Sequence, residues 1–207
     1  MSDTTATNLQ KATARDLQAA LRRVAAKLGE AAADLNAADA ALGDGDIGIT
    51  VSRGLAEAAA TELPEDVGLA FMECAKAFQR VSASSYGTLM ATALMAMAKV
   101  LKGRSDLDFT ETSALAETAI AAMMARGKGS LGDKTVLDVL DAIAKATKGA
   151  PAAEIYGRAR SAARATLEEY KGKPNKLGRA RMFAEASIGL YDPGQLALVR
   201  ILEALKS

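Results

Sequence analysis

The chain has 207 residues, a formal net charge of +1, one cysteine and no histidine. A charge this close to zero lacks the basic field that nonspecific binding to nucleic acid or to anionic membranes requires. Without histidine, the chain cannot use Ser-His or Cys-His nucleophiles or phosphohistidine chemistry, and most catalytic zinc sites are excluded. No apolar run reaches the roughly 20 residues that cross a bilayer, and the first residues are polar, which favours a cytoplasmic protein.

Apolar residues recur at three- and four-residue spacing along nearly the whole chain, which predicts an all-α protein. About eight helices are expected in a single domain over residues 1–207, with Cys74 in the core. The segment 88–101 is apolar around its circumference, which predicts a central, buried helix. The predicted helices cover residues 9–35, 51–62, 65–81, 88–101, 109–126, 133–146, 152–170 and 193–205.

The first break between helices, residues 36–50, contains three aspartates around two glycines. Asp39, Asp44 and Asp46 stand at i, i+5 and i+7, and clustered hard oxygen ligands suit Mg²⁺ or Ca²⁺. Counted from Asp44, the EF-hand positions 5 and 12 hold Gly48 and Leu55, so the calcium template fails. Magnesium shared with nucleotide phosphates fits the small ligand set better. The alternative is that the aspartates are turn formers and a helix cap.

Two nucleotide motifs are nearly spelled out in the segment that begins at Arg126. Gly127, Gly129 and Gly132 give G-x-G-x-x-G, but a helix precedes them where a dinucleotide fold requires a strand. The same residues approach a Walker A loop, which Asp133 interrupts. Both motifs are rejected. The segment remains either a loop whose helix N-terminus faces an anion or an adenine ring, or a plain connection capped by Asp133.

Two further segments could contact phosphate. The hydroxyls of Ser82, Ser84 and Ser85 precede a helix and could cradle an anion or simply cap that helix. The basic run that includes Arg179 could equally be a solvated face, and the Asp192–Gly194 tripeptide is a turn and helix start in its own right.

Taken in series, these segments resemble the nucleotide-binding L subunit of dihydroxyacetone kinases, from about residue 35 to the C-terminus. Five motifs carry the resemblance: D-x4-D-x-D-x-G from Asp39 to Gly48, Tyr86-Gly87-Thr88, Arg126-Gly127-Lys128, Gly132-Asp133-Lys134-Thr135, and Ser187-Ile188-Gly189 with Asp192-Pro193-Gly194.

The resemblance implies an antiparallel barrel of eight helices that binds ADP or ATP and two Mg²⁺ at one end. It implies that Asp39, Asp44 and Asp46 hold the metal ions. It implies nucleotide contacts from Ile47, Gly48, Ile49, Thr50, Ser82, Ser84, Ser85, Gly127, Val136, Arg179, Asp192, Pro193 and Gly194. In the family a separate K-type subunit or domain holds the ketone through a histidine, and in some members a sugar-phosphotransferase phosphocarrier rephosphorylates bound ADP.

This sequence departs from the family at three places. Ile47 replaces the usual histidine, the glycine-rich G-G-x-S-G loop is shortened to residues 82–85, and G-E-R-S appears as Ala184-Glu185-Ala186-Ser187. The main hypothesis is a subunit that carries Mg-nucleotide for phosphorylation of dihydroxyacetone or a related short ketose. The rival is a nucleotide-binding regulatory relative without turnover, and the third interpretation, a scaffold without ligand, explains none of the motifs.

Overall fold

A computed structural model of the protein describes residues 10–81 and 84–206. Within these residues eight α-helices follow one another: α1 Ala14–Ala40, α2 Ile47–Ala60, α3 Val67–Val81, α4 Ser85–Leu101, α5 Thr112–Gly127, α6 Val136–Thr147, α7 Ala152–Lys171 and α8 Pro193–Ala204. Short 3₁₀ turns cover Phe109–Glu111, Arg179–Phe183 and Glu185–Ser187. Two three-residue strands, β1 Lys11–Thr13 and β2 Asp106–Asp108, pair antiparallel with Ala12 opposite Leu107.

The eight helices form a closed ring. Each helix packs against the next one in the chain, and α8 packs back against α1. Short connections between packed neighbours make consecutive helices antiparallel. The largest apolar cluster includes Leu28, Val51 and Phe78, and it joins α1, α2 and α3 to the later helices. The predicted all-α fold and the eight-helix barrel are confirmed, and Cys74 is buried as expected.

The boundaries around the first break differ from the prediction. Helix α1 continues beyond residue 35 to Ala40, so Asp39 lies on a helix, and α2 begins at Ile47. Helix α4 begins earlier than residue 88, because the Ser84 hydroxyl accepts a hydrogen bond from the Gly87 N–H at 3.1 Å and caps the first turn. The break that carries the predicted site is therefore a tight turn of six residues.

The prediction of a central buried helix at 88–101 was wrong. Helix α4 is one member of the ring, between α3 and α5, and Val100 on it is 55% exposed. Its apolar circumference has another reason: one face packs toward the barrel interior, and the flanks pack against two neighbouring helices. A closed ring of helices has no central member.

Helix α1 and helix α2 pack closely together at Gly48. A Cβ atom at this position would lie 2.1 Å from the Ala32 carbonyl oxygen and 2.6 Å from Asn36 Oδ1. We expect Gly48→Ala to lower the free energy of unfolding by about 1–3 kcal/mol, because the helices must separate to accept one methyl group. Denaturant unfolding followed by circular dichroism measures the change.

The matched control is Gly157→Ala on α7, where no atom lies within 4 Å of an added Cβ. There the substitution should raise stability by about 0.5–1 kcal/mol, since alanine is the better helix former. Equal effects at the two positions would contradict the close approach at Gly48.

Candidate functional site

Three aspartates meet at the turn between α1 and α2. Asp39 lies in the last turn of α1, Asp44 lies in the connection, and Asp46 is the N-cap residue of α2. One carboxylate oxygen from each lies within 4.8 Å of the other two. Gly45 has φ +74°, a conformation that glycine adopts without strain, and it lets the turn bring Asp46 back beside Asp39. Three carboxylates at this spacing repel one another and match the oxygen ligand set of a hard divalent cation.

The aspartates differ in the hydrogen bonds that they make to the start of α2. Asp39 Oδ2 accepts hydrogen bonds from the backbone N–H groups of Asp46 at 2.9 Å and Ile47 at 3.2 Å, so it also serves as the acceptor for the start of α2. Asp46 makes no side-chain cap hydrogen bond to its own helix. The carboxylate of Asp46 is therefore dispensable for the helix start, whereas that of Asp39 is not.

Hydroxyl groups at the starts of two helices meet beside the aspartates. Thr50 Oγ1 on α2 lies 3.0 Å from Ser84 Oγ, the N-cap of α4. Ser85 is exposed beside them. The N-termini of α2 and α4 thus lie side by side, and both present the positive ends of their helix dipoles to this region.

A cavity of about 520 Å³ joins these groups to an apolar wall. Asp39, Asp44 and Asp46 line it from the α1–α2 turn. Its apolar lining includes Leu89, Met123, Val136, Leu137 and Leu177, from α4, α5, α6 and the connection after α7. The volume suits a small ligand, and the lining suits one with an apolar part and a part that binds a cation.

The N-terminus of α6 is fixed by its own capping box. Asp138 Oδ2 accepts from the Thr135 N–H at 2.7 Å, and Thr135 Oγ1 accepts from the Leu137 N–H at 3.2 Å. The other Asp138 oxygen accepts from the Gly132 N–H at 2.6 Å. The helix therefore begins at Val136, with Thr135 as its cap in place of the expected Asp133.

Lys134, just before this cap, is completely buried. Its Nζ donates to the carbonyl oxygens of Lys173, Ser187 and Leu190, each at 2.8 Å. Burial lowers the pKa of the Lys134 ammonium, while the charge of Asp192 opposes that shift. One side chain thereby fixes both ends of the connection between α7 and α8 to the start of α6.

The same connection holds Asp192, the N-cap of α8. Asp192 Oδ1 accepts from the Gln195 N–H at 2.8 Å, and Oδ2 accepts from Asn175 Nδ2 at 2.9 Å. Burial raises the pKa of Asp192 to about 6. Tyr86 of α4 donates its hydroxyl to the Gly194 carbonyl at 3.3 Å, which joins this cap to the opposite side of the cavity.

Most of the site residues predicted from the sequence line this cavity. They are Asp39, Asp44, Asp46, Ile47, Ile49, Thr50, Ser84, Ser85, Gly127, Val136, Asp192, Pro193 and Gly194. Gly48 is not among the lining residues, and the side of its Cα that would carry a Cβ faces α1. Ser82 lies outside the described residues, and only the backbone of Arg179 is described, in the 3₁₀ turn Arg179–Phe183.

Sequence reasoning missed Arg53, which lines the cavity from α2. The signal was available: Arg53 follows Asp46 by seven residues and Thr50 by three, which places all three on one helical face. It also missed the burial of Lys134, because an isolated lysine is ordinarily exposed.

A family model described as the DAK2 domain matches residues 41–207. The chain belongs to the DAK2 domain family. Its predicted resemblance to the L subunit of dihydroxyacetone kinases is thereby confirmed.

Two kinds of curated relative match this DAK2 domain. An L-erythrulose kinase of Pectobacterium atrosepticum is 31% identical across 98% of this chain, which spans 36% of that protein. A protein of Listeria innocua named PEP-dependent dihydroxyacetone kinase 1, ADP-binding subunit DhaL, is 28% identical across 81% of this chain and 82% of its own length. The chain thus spans about a third of the first kind of relative and most of the second.

A solved structure has the same fold. The dihydroxyacetone kinase from C. freundii, in complex with AMP-PNP and Mg²⁺, superposes with a TM-score of 0.73 and 26% identity over 91% of this chain and 33% of that one. None of the helices within residues 10–81 and 84–206 has the length and apolarity needed to cross a membrane.

Proposed function

We propose that this DAK2 domain, over residues 1–207, is the Mg-nucleotide-binding subunit of a kinase that phosphorylates dihydroxyacetone or a related short ketose. A separate K-type subunit holds the ketose. The observation that supports this proposal most strongly is the polarity of the cavity. Three carboxylates line one part of it, with one oxygen atom of each within 4.8 Å of the other two, and apolar side chains line another part.

This polarity matches Mg-ATP or Mg-ADP. A nucleotide has an apolar, stackable base at one end and a phosphate chain that binds with Mg²⁺ at the other. The carboxylates would repel the phosphate oxygens unless a cation lay between them. The uncharged base needs no cation. The C. freundii structure, which holds AMP-PNP and Mg²⁺, supports the same pairing.

Each wall then has a role in binding. Asp39, Asp44 and Asp46 hold two Mg²⁺, and the backbone of residues 47–50, with Ser82, Ser84 and Ser85, contacts the phosphates. Gly127 and Val136 lie against the base, Arg179 lies near the phosphates, and Asp192, Pro193 and Gly194 complete the pocket.

The chemistry is phosphoryl transfer by positioning and charge neutralisation. Magnesium on the carboxylates offsets the charge that develops on the transferred group. The chain itself fixes the nucleotide: helix N-termini orient the phosphates, and the connection held by Lys134 closes one wall. The acceptor hydroxyl arrives on the K-type partner, so no general base is required from a chain that has no histidine.

Nucleotide content tests the proposal directly. Purified protein is denatured, the released small molecules are analysed, and the intact protein is titrated with ADP and ATP with and without Mg²⁺. We expect about one nucleotide per chain, or Mg-dependent binding on titration. Protein that releases no nucleotide and binds none with Mg²⁺ would rule the proposal out.

Turnover with the partner separates a kinase from a regulatory relative and identifies the phosphate source. ATP, dihydroxyacetone and a K-type subunit should give the phosphorylated ketose if the nucleotide exchanges freely. Activity only with a phosphotransferase phosphocarrier would instead indicate that ADP stays bound and is rephosphorylated in place. The name of the Listeria innocua relative describes that protein as the ADP-binding subunit of a PEP-dependent kinase. Tight nucleotide binding without turnover under either condition favours the regulatory alternative.

A further inference from the structure

Arg53 is placed like a ligand for phosphate. It lies on α2 in register with Asp46 and Thr50, and all three line the cavity. Seven residues of α-helix separate the Cα atoms of Asp46 and Arg53 by about 10 Å along the axis. Helical side chains lean toward the helix N-terminus, so the Arg53 guanidinium can reach back along α2 toward the aspartates.

The charge of Arg53 is the exception in this cavity. Among the side chains that the structure describes there, Arg53 carries the only positive charge, against Asp39, Asp44, Asp46 and Asp192. Within residues 10–81 and 84–206, no hydrogen bond or ion pair joins its guanidinium to another side chain. It is also exposed, so it can move to meet a ligand without first breaking a protein contact.

The position of Arg53 selects one end of the phosphate chain. The apolar wall comes from α4, α5 and α6, whereas Arg53 stands on α2 at the opposite, acidic side. A nucleotide whose base lies against Val136 therefore brings its last phosphates, and not its first, to Arg53. Three carboxylates and a triphosphate carry more negative charge than two Mg²⁺ and two helix dipoles offset, and the Arg53 guanidinium offsets part of the remainder.

We propose that Arg53 binds the terminal phosphates of the nucleotide, as a cation that acts beside the aspartate-held magnesium. This assignment rests on the function proposed above and adds a residue and a specificity to it: the side chain favours ATP and ADP over AMP. The planar guanidinium can donate two parallel hydrogen bonds to one phosphate, a geometry that an ammonium group lacks.

Calorimetric titration of Arg53→Met with ATP, ADP and AMP in the presence of Mg²⁺ tests the proposal. We expect affinity for ATP and ADP to fall about ten- to a hundredfold, with less than a threefold change for AMP. Arg53→Lys should recover part of the loss, because it keeps the charge and loses the paired hydrogen bonds. Arg23→Met, an exposed arginine on α1 outside the cavity lining, is the matched control and should bind all three as wild type.

The outcomes separate the assignment from the function on which it rests. Wild-type binding of Mg-ATP together with unchanged binding by Arg53→Met would overturn the assignment and leave the function standing. Unchanged binding with lost turnover in the presence of a K-type subunit would also overturn it, since Arg53 would then contact the partner. An equal loss for AMP and ATP would contradict the preference for the terminal phosphates, and a wild type that binds no nucleotide would overturn both proposals.

Discussion

Asp46→Asn is expected to abolish Mg-dependent nucleotide binding while it leaves the barrel folded. The substitution removes the charge and keeps the shape of the side chain. Because the Asp46 carboxylate makes no cap bond to α2, its loss takes nothing from the helix start. Nucleotide affinity measured with Mg²⁺ should fall by more than the roughly 10–100-fold that loss of an outer-shell metal partner costs.

The thermal stability of the nucleotide-free protein gives a second, independent test of the metal assignment. Asp46 lies within 4.8 Å of two like charges, so its neutralisation relieves repulsion and should leave the melting temperature unchanged or slightly raised. Mg²⁺ and nucleotide together should raise the melting temperature of the wild type, through preferential binding to the folded state, and should not raise that of the variant.

Three further variants make the test specific. Asp44→Asn should lose Mg-dependent nucleotide binding as Asp46→Asn does, because both carboxylates belong to the same cluster. Asp39→Asn should lose both binding and stability, because Asp39 Oδ2 accepts from two backbone N–H groups at the start of α2. Asp34→Asn, an exposed aspartate on α1, should change neither. If Asp44→Asn and Asp46→Asn both kept full Mg-dependent binding, the metal assignment would be wrong.

The sequence predicted the number and order of the helices because the apolar period is a local property that packing preserves. It misplaced the ends of α1, α2 and α4, where one or two side chains decide the boundary. Asn36 and Asp39 look like loop residues, yet α1 continues through both. Cap geometry depends on which backbone N–H a side chain reaches, as Ser84 shows with Gly87, and spacing alone does not determine that.

The candidate site was predictable in its acidic part and not in its cationic part. Asp39, Asp44 and Asp46 are close in sequence, so a short turn must bring them together. Arg53 belongs to the site through helical register, which becomes informative only once α2 is known to begin at Ile47. Lys134 joins three backbone carbonyls from a connection 39 to 56 residues further along the chain, and no local pattern reports such partners.

Lys134→Met should destabilise the protein more than the same substitution at any other lysine within residues 10–81 and 84–206. Methionine keeps much of the length and the apolar stem but leaves the carbonyl oxygens of Lys173, Ser187 and Leu190 without this donor. A buried polar group deprived of its partner costs about 1–3 kcal/mol, so the free energy of unfolding should fall by about 3 kcal/mol or more. Chemical denaturation measures the loss, and Lys148→Met, an exposed lysine that follows α6, should fall within about 0.5 kcal/mol of wild type.

The loss should also be local, which distinguishes a positioning role from a general weakening. Lys134 holds the connection that contributes Leu177 and Gly178 to the cavity wall and ends at the Asp192 cap. Amide hydrogen exchange in Lys134→Met should therefore accelerate in residues 173–190 more than in α1 and α2. Because the aspartate wall stays intact, nucleotide affinity should fall and its dependence on Mg²⁺ should remain, the reverse of the pattern expected for Asp46→Asn. Uniformly faster exchange across all helices would contradict this role, and the stability loss would then belong to the core as a whole.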